Sequence, residues 1–172
     1  MRSPENSDSP PDGLPAIHVV FNDSRDPWVR KTAGAKAATA PIIAFLDADC
    51  VPENGWLGSM LEVFRFFPEV AVVRGPVEKD GIDWRKLVLP DRRAAGPTAV
   101  TADNNVAFRR DAYLDYPFRE GMGSDAVGLQ SAALRKAHYV LWMNPSMQVV
   151  RGRDLRKPPV AVRLGYSTAA SR

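Results

Sequence analysis

Residues 42–52 read Ile42-Ile43-Ala44-Phe45-Leu46-Asp47-Ala48-Asp49-Cys50-Val51-Pro52. Five apolar residues without alternation suit a strand covered on both faces, as in a parallel sheet. Two carboxylates follow at once. In an open α/β sheet, ligands bind outside the carboxyl ends of the strands, where these acids stand. Side chains alternate along an extended chain, which puts Asp47 and Asp49 on one side. Neighbouring carboxylates repel, and a shared hard cation, Mg²⁺ or Mn²⁺, relieves that repulsion while taking water and phosphate oxygens as further ligands. The spacing thus points to a phosphorylated ligand, most simply a nucleoside diphosphate. The same Asp-x-Asp equally suits a turn in which Asp49 or Asn54 caps the next helix.

Working outward, Pro41 separates this strand from an Ala-rich helix that runs from Trp28 to Thr39 and starts at Asp26-Pro27. There Asp accepts from free N–H groups, and Pro loses nothing at the first helical position. Before it, Ile17-His18-Val19-Val20-Phe21 reads as a short strand closed by the turn-forming Asn22-Asp23-Ser24. After the acids, Gly55 to Phe67 forms the clearest helix. Trp56, Met60, Val63, Phe64 and Phe67 share one stripe, and Pro68 stops it. Val70 to Val73 is the next buried strand. The alternation of strands and helices predicts an α/β fold, a mostly parallel sheet flanked by helices. Residues 75–103 read as loop, with one helical turn around Trp84 to Leu87. Asn105 to Phe108 is a short strand, Asp111 caps a brief helix, and Gly121-Met122-Gly123 leads into a helix from Ser124 to Ala137. Tyr139 to Trp142 and Met147 to Val150 complete the strands.

A length of 172 residues fits one domain on a prior of about 150 residues per domain. Apolar residues make up 45% and charged residues 25%, so the bulk is neither fibrous nor disordered. Residues 1–15 hold four prolines and almost nothing apolar, the composition of a disordered leader. The domain spans 16–152, and 153–172 is a basic tail. The single Cys50 excludes a disulfide scaffold, and with two His it speaks against a Cys-based zinc site. Six of the basic residues fall from Arg151 onward, leaving 17 basic against 19 acidic groups before it, so no whole-protein basic field for nucleic acid exists. With no secretory signal and no run of about 20 apolar residues, the expected location is the cytoplasm, or the inner membrane face if the tail meets anionic lipid.

Lys31-Thr32-Ala33-Gly34-Ala35, followed by Ile42 to Asp49, Pro52 and Trp56-Leu57, resembles glycosyltransferase family 2, a GT-A-like (Rossmann-like) group. A second block is similar too: Asn105-Val106-Ala107-Phe108-Arg109-Arg110, Phe118-Arg119-Glu120-Gly121, and Ser124-Asp125. Together the blocks cover about residues 17–151 in the family's order. The resemblance implies that Asp47 and Asp49 bind a divalent metal, Mn²⁺ or Mg²⁺, and the diphosphate of a nucleotide-sugar donor, a UDP- or GDP-sugar. It puts Lys31 near the donor nucleotide, where an exposed helix lysine is the plain alternative. It makes Asp125 the base that deprotonates the acceptor hydroxyl of a glycan or lipid-linked acceptor, with inversion at the sugar carbon. A cap on the following helix is the other reading of Asp125. Asn105 falls by the sugar or acceptor pocket, or is a buried turn asparagine.

Three positions depart from the family's pattern. Ser124 replaces the Glu before Asp125, and Arg151 stands where many members carry a His near the metal. The opening one or two strand–helix units are missing, at roughly 30 residues each, so the chain reads as N-terminally truncated. Such a loss bares a sheet edge and half of the nucleotide pocket. A partner chain or a second copy would cover that edge. The alternative to an active transferase is therefore a non-catalytic remnant that needs a partner or has lost activity.

Overall fold

The computed structural model of the protein describes residues 19–79 and 95–152. The leader, the expected turn at Trp84 to Leu87 and the tail after 152 lie outside them. Asp26 opens α1 (Pro27–Ala37) with its carboxylate accepting from the Trp28 amide at 2.8 Å and Pro27 in the first turn. Arg110 closes the same helix by donating to the carbonyls of Ala35 and Lys36. Helix α2 (Trp56–Phe66) buries Met60, Val63 and Phe64 as the stripe predicts. It starts at Gly55, whose φ of +83° suits a residue without Cβ, and no side chain caps it. Neither Asp49 nor Asn54 acts as its cap.

Strands β1 (Ile42–Leu46), β3 (Val70–Arg74), β5 (Gly96–Pro97), β6 (Asn105–Arg109) and β7 (Val140–Met143) form one sheet in the order β1-β6-β3-β7-β5. Helices α3 (Arg110–Asp115) and α4 (Ala126–Lys136) complete the α-helices among the described residues. Trp28, Ile43, Val72, Val106, Phe108, Tyr113, Phe118 and Leu134 make the core on one face; Met60, Val63, Phe64, Val70, Val73, Ala107 and Met147 make it on the other. Val70 and Val73 share a face although three apart, because the β3–β7 register shifts between Val70 and Val72.

The α/β class stands, but the sheet is mixed rather than mostly parallel. Within it β3 and β7 are the one parallel pair of neighbours; β1 with β6, β3 with β6, and β5 with β7 pair antiparallel. An apolar run reports burial, not strand direction, and β6 returns between β1 and β3 the opposite way. Nor is β1 covered on both faces. It forms a sheet edge among the described residues, with Ile43 buried, Ala44 exposed and Leu46 38% exposed. Residues 19–21 form no strand, and Val19 and Phe21 are exposed; the rest of that expected strand lies outside the described residues.

A second sheet stands beside the first, unannounced by the sequence. Strands β2 (Cys50–Pro52), β8 (Val149–Arg151) and β4 (Val77–Lys79) pair in the order β2-β8-β4. This small sheet lies against the end of β1, because β2 begins where the acid pair ends.

Candidate donor site at the junction of the two sheets

The chain turns between Asp47 and Cys50, with the Cys50 amide donating to the Asp47 carbonyl at 3.0 Å. Alternation along an extended strand is therefore not what brings the two carboxylates together. Their meeting point is set across the small sheet. Cys50 lies opposite Arg151 in the antiparallel β2–β8 ladder, and the Gly152 amide donates to the Asp49 carbonyl at 3.1 Å. The Arg151 guanidinium consequently reaches both acids. Its Nη2 donates to Asp47 Oδ2, and its Nε lies 3.2 Å from Asp49.

Lys31 comes from the opposite side. Its Nζ lies 3.3 Å from Asp47 Oδ1 and also donates to the Asp103 carbonyl. The side chain is 18% exposed, and its ammonium sits over the rings of Trp28 and Phe45 at 5.6 and 5.8 Å. It is not an exposed helix lysine. Two cations thus neutralise two carboxylates at the tip of an edge strand. Cys50 packs beside them, its Sγ 3.6 Å from Asp49; burial pushes its pKa up, so it stays a thiol. A cleft of about 350 Å³ opens alongside, lined in part by Arg74, Pro76, Thr101, Asp103 and Asn104.

Asn105 is completely buried and fully engaged. Its amide nitrogen donates to the carbonyls of Pro76 and Met147 at 2.9 and 2.6 Å, and its oxygen accepts from Trp56 Nε1 at 2.8 Å. With both donors used inside the protein, it clamps α2, the β3–β4 link and the loop before β8; it does not line a sugar pocket. Gly75 belongs to this clamp, since a Cβ there would stand 1.6 Å from the Met147 carbonyl oxygen. The sequence reading missed the clamp, and Gly75-Pro76 directly after a buried strand was its visible trace.

Asp125 ends a short 3-10 turn (Gly123–Asp125) at the head of α4. Its side chain is exposed and makes no capping bond. The loop before it is tied to the start of α1: Trp28 Nε1 donates to the Gly123 carbonyl at 3.1 Å, and the Gly121 amide to Asp26 at 2.7 Å. Asp125 therefore stands on the loop bound to the helix that carries Lys31, though no hydrogen bond or ion pair links it to Asp47 or Asp49.

The donor set does not fit the divalent ion that the resemblance implies. Both acids already share Arg151, and Lys31 also holds Asp47. A divalent ion would have to displace the guanidinium from both carboxylates.

The chain is 24% identical over 98 residues to a glucosyl-dolichyl phosphate glucuronosyltransferase of Haloferax volcanii, a match over 49% of this chain and 31% of that protein. It thus spans about a third of that relative's length. Its fold matches a crystal structure of GalNAc-T7 with UDP, GalNAc and Mn²⁺ at a TM-score of 0.61 and 15% identity, covering 76% of this chain and 31% of that one. This likeness shows a glycosyltransferase fold of the GT-A kind. Residues 6–133 match the family described as glycosyl transferase family 2, and over that span, which includes Asp47, Asp49 and Asp125, the chain belongs to this family.

Proposed function

We propose that the chain transfers a sugar from a nucleotide-sugar donor, a UDP- or GDP-sugar, to a hydroxyl of a glycan or lipid-linked acceptor. The convergence of Lys31, Asp47, Asp49 and Arg151 at the end of β1 carries this reading, because it lies within a family 2 chain at the strand end where α/β folds bind ligands. The acceptor oxygen forms a bond to the anomeric carbon while the bond from that carbon to the β-phosphate oxygen breaks. The nucleoside diphosphate leaves with the electron pair, and attack from the opposite face inverts the centre. Asp125 takes the acceptor proton; its free, exposed carboxylate supports that role. Lys31 faces the charge that grows on the leaving diphosphate.

Release of UDP or GDP from a panel of donor sugars, followed by chromatography, tests the reading. Asp125→Asn should lower release by about a hundredfold or more while leaving nucleotide affinity unchanged. Equal release by the variant removes Asp125 as the base. A second reading, the non-catalytic remnant, is favoured by Arg151 lodged between the acids and by Ser124 beside Asp125. Nucleotide binding without release from any donor supports that second reading.

A further inference from the structure

We propose that Arg151 takes the place of a divalent ion between Asp47 and Asp49, making the site independent of metal. The inference rests on the donor reading above and adds the means by which the diphosphate is met. The guanidinium bonds both carboxylates at once, as an ion would. Strand pairing sets its main chain beside them: Cys50 and Arg151 face each other, and main-chain bonds flank them at Cys50 and Gly152. The charges balance locally, two carboxylates against Arg151 and Lys31, so the net negative charge that would attract a divalent ion is absent. A planar guanidinium has five N–H donors and spends two on the acids, which leaves donors for phosphate oxygens. Lys31 Nζ likewise spends two of three. Arg151 is 29% exposed, so a ligand can reach it from the open side.

Two measurements on the same samples decide the matter. Isothermal titration gives UDP and GDP affinities in EDTA and in excess Mn²⁺, and electron paramagnetic resonance follows free Mn²⁺ with protein alone. The unmodified chain should bind nucleotide within about threefold equally in both conditions and leave the Mn²⁺ signal intact. Arg151→His removes the cation and adds an imidazole donor. It should sequester Mn²⁺ and bind nucleotide about tenfold tighter with the metal than without it. The proposal is overturned if the unmodified chain holds Mn²⁺ and Asp47→Asn releases it, or if Mn²⁺ raises its nucleotide affinity about tenfold. It is also overturned if Arg151→His gains no metal. Absence of nucleotide binding in every sample defeats the donor reading, and the Mn²⁺ signal still decides whether Arg151 holds the ion's place.

Discussion

The two sheets of this molecule divide its labour. In the larger one, β1, β3 and β6 have five residues each, and Val70, Val72, Val73, Val106 and Phe108 are buried between helices on both faces. In the smaller one every strand has three residues, and β8 ends in a charged side chain that serves the acid pair rather than a core. Apolar burial scales with area, so the first sheet carries most of the stability. The second supplies little area but sets the register that aims Arg151. A short ladder attached to a well-packed one can therefore hold chemistry without having to hold the fold.

The strongest way to break this contrast is Phe108→Ala. Phe108 is fully buried and meets the rings of Phe45, Tyr113 and Phe118 at 5.8, 5.1 and 6.2 Å. Its truncation should cost about 4 kcal/mol in urea unfolding. A cost below about 1 kcal/mol would deny the large sheet its role. Next comes the link between the sheets. Gly75→Ala forces a Cβ into the Met147 carbonyl and should cost about 3 kcal/mol, because main chain has to move. Asn105→Ala strands Trp56 Nε1 and two carbonyls and should cost about 2 kcal/mol by the same measurement.

Arg151→Met sharpens the comparison from the other side. Partly exposed ion pairs contribute little, so unfolding should change by less than about 1 kcal/mol. Nucleotide affinity in EDTA should nevertheless fall about tenfold. The smallest effect concerns pH. The Gly121 amide, followed by the amides at the start of α1, outweighs desolvation and holds the Asp26 pKa below its usual value. A depressed carboxylate pKa gives stability that is present above the unfolded value and lost as pH falls through the folded one. The protection factor of the Gly121 amide, its exchange relative to the intrinsic rate at each pH, should therefore fall on acidification through that range. A constant protection factor would unlink the loop from α1.

Much of this was open to a reader of the chain. Asp26-Pro27 announced α1, the stripe from Trp56 to Phe64 announced α2, and the apolar runs at 42–46, 70–73 and 105–108 announced strands. Such signals are local, since caps and periodicity act within a turn or two. Asp47 and Asp49 stood out by position, and Lys31 by its family block. Strand direction was hidden, because Ile42 to Leu46 would look the same in either setting, and the bared edge expected from the family's order was not assigned to β1. Asn105 was singled out, with burial as one reading, but its clamp was hidden, because its three partners come from three separate segments.

The sequence by itself determined the α/β class, most elements, the acid pair and the departure at position 151. Only the tertiary structure decided what that departure does. Arg151 and Asp47 are 104 residues apart, and they meet because a three-residue strand following the acids pairs with another near the end of the domain. Three-residue strands carry too little pattern to announce themselves. Their partners are set by the larger sheet, since β2, β4 and β8 follow directly on β1, β3 and β7 in the chain.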